Sequence, residues 1–351
     1  MLEFAHLPLE ERQEFFLEAA SRRGVSPLII EKDFWVCLTL GLLFSTPGLD
    51  DKFVFKGGTS LSKVFGLIKR FSEDIDLSVD PGWLGFEGEL WPDDSRSQSY
   101  FEKLSKRLDQ TCITRVEGVV QPLLERAIEG VLGPSPHHAY LTYNLDPQTK
   151  SPVLIFRYPT AEHGVTGYIR PQIKLEFGSL IDQRPIDDHT VTPWVAEEFP
   201  ELFSLPTARV VALEAERTFW EKVTILHAEY HRLPEKRMRP RVSRDCYDVC
   251  QMAADPIGQR AMQNLTLLTR VAHFKQTFFR AGWVDYTTAK PGSLHLVPPD
   301  ERLADLRSDY LQMREMFIET PPDFVTLLQQ LRELEASLNC QVGAVAGQEP
   351  R

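Results

Sequence analysis

The stretch FKGGTSLSKVFGLIKRFSEDIDLSVD, residues 55–80, decides the fold, because it predicts a strand, a turn, a helix and a second strand in direct succession. A short apolar strand, KFVFK, leads into Gly57 and Gly58. The spacing then predicts a helix over 59–69 and a strand over 74–80. Glycine lets a backbone turn sharply and approach a ligand closely. The stretch is therefore predicted to bring a tight turn and an acidic strand side by side.

The second strand has acids at alternate positions. Since side chains along a strand alternate between its two faces, one face is predicted to be acidic and the other apolar. The acidic face is formed by Asp74, Asp76, Ser78 and Asp80, and the apolar face by Ile75, Leu77 and Val79. Asp74 and Asp76 lie about 7 Å apart along the strand. Their carboxylates can converge on one or two Mg²⁺ ions, which prefer oxygen ligands and accept phosphate oxygens as the rest.

The glycine turn offers a phosphate site next to these acids. Thr59 or Ser60 can cap the helix that follows, and the amides and hydroxyls at its start favour an anion such as a triphosphate. A P-loop is excluded, because Ser62 precedes Lys63 where that motif requires glycine. A solvated edge strand after a tight turn is the alternative, and the combination of glycine pair and acid pair argues against it.

Several segments together resemble one known family. A glycine pair with a hydroxyl, a helix and an acid-x-acid strand resemble the polymerase-β-like nucleotidyltransferase core. KGGTSLSK and RFSEDIDL are similar to the AbiEii/AbiGii toxin family within that superfamily. The likeness continues in EKDFWV, KLEF, ERTFWEKVTILH, SRDCYDV and LRSDYLQMREMF, at residues 31–36, 174–177, 216–227, 243–249 and 306–317. It therefore spans nearly the whole chain.

The resemblance implies an α+β protein with a polymerase-β-like nucleotidyltransferase core, in which helices flank a mixed sheet, and a helical C-terminal domain. We expect the core with its N-terminal helices at 1–186. The mainly helical domain, which would complete the active-site cleft, is expected at 187–351. Periodicity predicts helices over 7–23, 27–44, 100–130, 214–231, 243–253, 264–280, 298–320 and 322–338, strands over 139–145, 153–159 and 168–179, and a connector over 185–193.

The resemblance also implies residues that would complete the site. Glu176 matches a third carboxylate, which would complete the metal site and help to deprotonate an attacking hydroxyl; a pair with Lys174 is the alternative. By periodicity alone, Lys222 flanks the apolar stripe of its helix. By resemblance, Lys222 would contact phosphates and stabilise triphosphate charge, whereas the alternative is a surface lysine.

Further candidates lie on the following helix and before the acidic strand. Asp245 and Asp248 share a helix face; Asp248 is the better match to the family's fixed acid, and either could orient Lys222 or a substrate hydroxyl. Ser72 resembles a family residue important for activity, or caps the strand entry. Arg70 would pair with phosphate or with Glu73. The predicted nucleotide-binding residues are Gly57, Gly58, Thr59, Ser60, Lys63, Ser72 and Lys222, and the predicted catalytic residues are Asp74, Asp76, Lys222, Asp245 and Asp248.

The main positive feature of the chain is the segment RLPEKRMRPRVSR, residues 232–244, within 351 residues of net charge −11. On charge alone, contact with a phosphate backbone and a solvated loop are equally good interpretations. The resemblance favours contact with an RNA end, through Arg237, Arg239, Arg241 and Arg244.

The cysteines predict a reducing environment. There are five, without a CxxC pair, so we expect free thiols in a cytoplasmic protein. A Cys₂His₂ zinc site at His227, His231, Cys246 and Cys250 stays open as an alternative. No signal peptide is apparent, and the longest apolar run, WVCLTLGLLF, is too short to span a bilayer. A membrane partner is therefore not expected.

The predicted activity is Mg²⁺-dependent nucleotidyl transfer, with an NTP as substrate, a two-ion site and pyrophosphate as product. By resemblance, the acceptor is the 3′ end of a tRNA or another RNA, and this tRNA modification arrests translation in a toxin–antitoxin system of abortive infection and phage defence. The antitoxin would be encoded separately and form no stable complex. The alternatives are transfer to a small molecule or protein hydroxyl, and a nucleotide-sensing module without catalysis.

Overall fold

The computed structural model describes residues 1–86, 92, 95–135, 139–160, 169–180 and 182–341. The chain forms two compact units. The first comprises Met1–Gly66, Phe71–Leu90 and Lys103–Leu213. The second comprises Leu67–Arg70, Trp91–Glu102 and Glu214–Arg351.

The first unit is built on a mixed seven-stranded sheet. Its strands β1 to β7 are Phe53–Lys56, Ile75–Val79, Leu141–Leu145, Pro152–Phe156, Ile173–Gly178, Ile186–Val191 and Ala208–Leu213. Their order is β3-β4-β5-β2-β1-β7-β6. β1 runs parallel to β7 and β2 parallel to β5, and the other neighbours are antiparallel. The apolar face predicted for β2 is confirmed, since its three apolar side chains are at most 1% exposed.

Helices cover this sheet. They are α1 to α4 at Leu2–Ala5, Leu9–Arg23, Pro27–Ser45 and Gly57–Lys63, α6 at Gln121–Leu132 and α7 at Trp194–Glu198. α5 (Gln98–Arg115) begins in the second unit, continues into the first, and is joined to α6 by the π-helical turn Val116–Val120. α3 packs on β5 and β7. α3 is apolar around most of its circumference, and 13 of its 19 residues are accordingly buried.

The second unit is helical. Its helices α8 to α13 are Ala215–Tyr230, Val242–Ala254, Pro256–Gln263, Leu265–Phe278, Leu303–Gln312 and Phe324–Asn339. α8 packs against α9, α10 and α11, and α9 also packs against α12 and α13. Side chains of Asp255, Asn264 and Asp323 cap α10, α11 and α13. Within the described residues, no helix is both long and apolar enough to cross a membrane.

The α+β class is confirmed, with a mixed sheet flanked by helices and a helical C-terminal region. Several boundaries differ from the sequence-based expectations. The connector predicted over 185–193 contains β6, and β7 had no predicted counterpart; because these strands pair with each other and β7 pairs with β1, the first unit reaches Leu213. The helix predicted over 59–69 ends at Lys63, and that predicted over 298–320 is broken into α12 and two 3₁₀ turns.

Candidate active site

The glycine turn and the acidic strand meet at Gly57 and Asp76. β1 pairs with β2 so that Lys56 lies opposite Asp76, and Gly57 comes next. Gly57 has a φ of +81°, a backbone conformation that residues with a side chain rarely adopt. A Cβ atom at this position would lie 2.0 Å from the Oδ2 atom of Asp76. The Asp76 carboxylate therefore lies against a backbone position that only glycine accommodates.

Hydroxyl groups join the turn to the segment before β2. The Thr59 hydroxyl donates to the Asp74 carbonyl oxygen at 2.5 Å and shares a 3.0 Å hydrogen bond with the Ser72 hydroxyl. The Ser60 hydroxyl donates to the Gly57 carbonyl oxygen at 2.9 Å. The expectation that Thr59 or Ser60 caps α4 is wrong, because the N-cap is Lys56 and no side chain caps this helix. These hydroxyls instead fix the local backbone.

Glu176 lies on the strand next to the acid pair. The parallel register of β2 and β5 sets Glu176 beside Asp76, and both side chains are half-buried. The Lys174 ammonium is 2.5 Å from a Glu176 carboxylate oxygen and 3.3 Å from one of Asp146. Burial lowers the pKa of Lys174, but pairing with Glu176 and the nearby acids raises it overall. The alternative Lys174–Glu176 pair is thus present.

The part of the chain that the structure describes contains no preassembled metal site. Among the described residues, no group of three or more His, Cys, Asp or Glu side chains is arranged to hold a metal ion. Asp74 and Asp76 nevertheless fit Mg²⁺, which is held in enzymes by one or two carboxylates together with water and substrate phosphates. Glu176 pairs with Lys174 through its Oε1 atom, so its other carboxylate oxygen could join them. The zinc alternative gains no support, since His227, His231, Cys246 and Cys250 form no such group among the described residues.

Lys63, one of the predicted nucleotide-binding residues, has a buried partner. Its ammonium is 2.7 Å from Asp33, and the two side chains are 5% and 1% exposed. The ammonium also lies 4.8 Å from the centre of the Trp194 ring. Burial lowers the pKa of Lys63, yet Asp33 and its neighbours raise it overall, so Lys63 stays charged at neutral pH. The structure therefore gives Lys63 a position inside the protein.

Lys222 belongs to an ionic cluster in the second unit, which we call the Lys222 cluster: Arg70, Lys222, Arg239, Asp245 and Asp248, all buried except the half-buried Arg239. The Lys222 ammonium lies 2.7 Å from Asp245 and 3.0 Å from Asp248. Arg70 donates two hydrogen bonds to Asp248, at 2.8 and 2.7 Å. Arg239 lies 2.6 Å from the other Asp245 oxygen. Both predicted aspartates thus converge on Lys222.

The electrostatics keep this cluster ionised. Burial raises the pKa of Asp245 and Asp248, but the adjacent cations lower both values overall. Burial lowers the pKa of Lys222, and the two aspartates raise it overall. Three cations against two carboxylates leave one positive charge. Such a charge, partly withdrawn from water, can stabilise a phosphate.

The partner that Arg70 has in the structure was not predicted from the sequence. The pairing with Glu73 considered above is wrong, because Arg70 forms a bidentate pair with Asp248, 178 positions away. The buried side chain of Arg70 is 2% exposed. No local pattern reveals such a pair, since its two members are joined only by the tertiary fold.

The basic segment, residues 232–244, has a fixed backbone. The Arg302 side chain donates to the carbonyl oxygens of Arg232, Leu233 and Lys236, at 3.2, 2.7 and 3.0 Å. Of the four predicted RNA-binding arginines, Arg237 and Arg241 are exposed. Arg239 pairs with Asp245, and Arg244 is buried with its Nη2 atom 3.1 Å from the Met316 sulfur.

Comparison with known proteins gives one family match. The family described as "Nucleotidyl transferase AbiEii toxin, Type IV TA system" matches residues 41–334. The matched range includes the Gly57 turn, the acid strand and the whole Lys222 cluster. A search of curated proteins finds no match.

Proposed function

The chain belongs to the AbiEii nucleotidyl transferase toxin family of type IV toxin–antitoxin systems, and from this premise we propose that it transfers NMP from an NTP to an acceptor hydroxyl and releases pyrophosphate. The observation that carries the proposal is the close approach of the Asp76 carboxylate to Gly57. A Cβ atom at position 57 would lie only 2.0 Å from Asp76 Oδ2. An acid held against a bare glycine turn is suited to a nucleotide that brings phosphates and a cation together. The family implies an NTP substrate and a separate antitoxin.

The roles in this proposal follow from the chemistry of the residues. Asp74 and Asp76 would hold Mg²⁺, and Glu176 would complete the site. Bound Mg²⁺ would neutralise charge on the attacking and leaving oxygens. Gly57 and Gly58 would let the triphosphate approach the backbone beside the Asp76 carboxylate, with Thr59, Ser60 and Ser72 fixing the backbone around it.

Lys222 is the proposed phosphate-stabilising residue. Lys222 is charged and 8% exposed, and Asp245 and Asp248 orient its ammonium. We propose that Asp248 acts structurally through Arg70 as well, and that Asp245 is the acid closer to substrate. The mixed sheet, in which the glycine-turn strand adjoins the acidic strand, supports a polymerase-β-like core.

The acceptor we propose is the 3′ end of a tRNA in the cytoplasm. The exposed Arg237 and Arg241, on a segment fixed by Arg302, suit a phosphate backbone. A blocked 3′ end would stop aminoacylation and so arrest translation. The antitoxin would then act without a stable complex.

The test is transfer of label from NTPs in the presence of Mg²⁺ and total tRNA. We expect wild-type protein to label tRNA and Asp76→Asn to lose at least a hundredfold in rate, since an amide is a poor ligand for Mg²⁺. The matched control is Asp188→Asn, an exposed acid on β6 paired with Arg209, which should transfer normally.

A separate experiment tests the identity of the acceptor. Charge reversal at Arg237 and Arg241 should weaken transfer to tRNA at least tenfold. If reversal leaves the rate unchanged and label enters small molecules or protein, RNA is the wrong acceptor. If NTP binds and no label is transferred to any acceptor, the protein is a sensor rather than an enzyme.

A further inference from the structure

Three consecutive charged residues, Glu31, Lys32 and Asp33, are buried in the middle of α3. Their exposed fractions are 6%, 2% and 1%. Charged side chains are rarely buried to this degree unless they are paired. Successive helix residues point about 100° apart, so each of the three reaches a different part of the first unit.

Lys32 holds the segment that leads into the acid strand. Its ammonium lies 2.6 Å from the Glu73 carboxylate and 2.9 Å from the Arg170 carbonyl oxygen. The Lys32 and Glu73 side chains are 3% and 7% exposed. Glu73 is the residue directly before Asp74, so this pair fixes the backbone from which an acid of the proposed metal site extends.

Asp33 binds the other part of the site, the helix α4 that begins at the glycine turn. One of its oxygens lies 2.7 Å from the Lys63 ammonium at the end of α4, and the other accepts the Trp194 backbone N–H at 2.7 Å. α4 begins with the glycine turn at Gly57. Glu31 adds a bond from the Thr160 hydroxyl, at 2.8 Å.

These contacts close into a ring. α3 is bound to α4 through Asp33–Lys63, and α4 is bound to the 72–74 segment through Thr59. The 72–74 segment returns to α3 through Glu73–Lys32. A buried ion pair has little advantage in stability over an apolar pair of similar volume, but it imposes a defined geometry.

We propose that Lys32 and Asp33 are positioning residues, which hold Asp74 and the Gly57 turn in the relative geometry needed to bind a divalent cation with a nucleotide. This inference rests on the proposed function, because it assigns these residues to the same site. They touch neither substrate nor cation and act through Glu73 and Lys63.

The experiment compares two apolar pair variants of the full chain with wild type: Lys32→Met with Glu73→Leu, and Asp33→Leu with Lys63→Met. We expect both to fold cooperatively with a lower unfolding midpoint, because the Arg170 carbonyl oxygen and the Trp194 N–H lose their partners, while kcat falls at least tenfold and the KM for tRNA is unchanged. The matched control removes the exposed pair at the sheet edge, Asp188→Ala with Arg209→Ala, and should keep kcat.

A second readout does not depend on turnover. Binding of Mn²⁺, measured by electron paramagnetic resonance with each of the four NTPs, should weaken at least tenfold in both pair variants. If wild type transfers no nucleotide, the proposed function fails, and Mn²⁺ binding still tests the positioning role of Lys32 and Asp33. Equal Mn²⁺ affinity in wild type and variants overturns the positioning role, and no Mn²⁺ binding by wild type overturns both proposals.

Charge-retaining variants guard against unfolding. Glu73→Asp shortens the pair by one methylene and keeps both charges, and we expect a tenfold lower kcat with an unchanged midpoint. Lys32→Arg should recover part of the activity that Lys32→Met alone loses. Wild-type kcat in Glu73→Asp, or in both apolar pairs, means that the pairs serve stability only.

Discussion

Gly57 is the residue on which the first-unit site depends, and two separate properties require glycine there. Its φ of +81° disfavours any side chain, and its hydrogen atoms leave the space that the Asp76 carboxylate fills. Only the second property bears on the proposed chemistry. The two can therefore be separated by comparing glycines that share the conformation and differ in their neighbours.

Gly57→Ala should lose at least a hundredfold in transfer rate. The new methyl group would lie 2.0 Å from Asp76 Oδ2, so the carboxylate must move. Alanine in the left-handed conformation should lower the free energy of unfolding by about 1–2 kcal/mol as well. The measurements are transfer of labelled NTP and urea unfolding.

Gly24→Ala is the matched control. Gly24 has a φ of +66° with nothing within 4 Å of a built Cβ, so it should lose similar conformational energy and keep its activity. Equal losses of activity in the two variants would show that strain, not the contact with Asp76, explains the effect.

The sequence anticipates some of these residue contacts. The succession of strand, turn, helix and strand predicts that the glycine turn lies beside the acidic strand, but the antiparallel register that sets Asp76 next to Gly57 is known only from the structure. The pairs Lys63–Asp33 and Lys174–Glu176 differ in this respect. The second is visible as two residues on one strand face, whereas the first joins residues of two separate helices, α3 and α4, and has no local signal.

Among the secondary-structure elements, helices α8 and α9 form most of the Lys222 cluster, since they carry Lys222, Asp245 and Asp248. The i, i+3 spacing of the aspartates predicts a shared face, and both do contact Lys222. Arg70 completes the cluster from outside this helix pair. Asp248 is 0% exposed and binds two cations, so it should be the most important of these residues for stability.

Asp248→Asn should lower the free energy of unfolding by about 3–5 kcal/mol, because it strands the buried Arg70 and Lys222 charges. The pKa of Asp248 is lowered in the folded protein. Its stabilisation is therefore present above the carboxylate's ordinary pKa of about 4 and is lost as pH falls through the lowered value. Urea unfolding at neutral and acidic pH measures both effects.

The control is Asp300→Asn, an exposed acid of the same unit, which should change stability by less than about 0.5 kcal/mol. An Asp248→Asn variant as stable as this control at neutral pH would contradict the assigned role of the Arg70–Asp248–Lys222 contacts.

At the same scale, the longer helices follow from periodicity, but the short helices α1, α7 and α10 and two strands do not. β6 has exposed residues on both faces, so its sequence lacks the alternation that identifies a half-buried strand. β7 is apolar, and only its pairing with β1 and β6 distinguishes it from other buried segments. Both strands owe their structure to long-range pairing.

At the scale of the whole molecule, charge is unevenly distributed along a chain of net charge −11. Each compact unit has buried ion pairs, and the second has the exposed basic segment. The same unit contains a cluster of three histidines: His227, His231 and His295. His227 is fully buried, its Nδ1 atom accepts the His295 backbone N–H at 3.2 Å, and its Nε2 atom lies 3.0 Å from the Thr288 hydroxyl.

This arrangement predicts that acid weakens the fold. Burial, followed by His231 and His295, lowers the pKa of His227 to about 4, against the opposing effect of Asp285. An unfolded histidine titrates near 6.5. Between these values the unfolded chain binds more protons than the folded one, so stability decreases as pH falls. The loss should approach about 3 kcal/mol at the lower end of that range.

Urea unfolding midpoints of wild type, His227→Gln and His6→Gln between about pH 7 and pH 4 measure this dependence. His6 is exposed, so its variant should keep the wild-type slope. His227→Gln should be less stable at neutral pH, because it disturbs the two hydrogen bonds of the ring, and should show a shallower decline towards acid. A slope equal to that of wild type would mean that acid sensitivity arises elsewhere, since a side chain without a titrating group cannot release protons on folding.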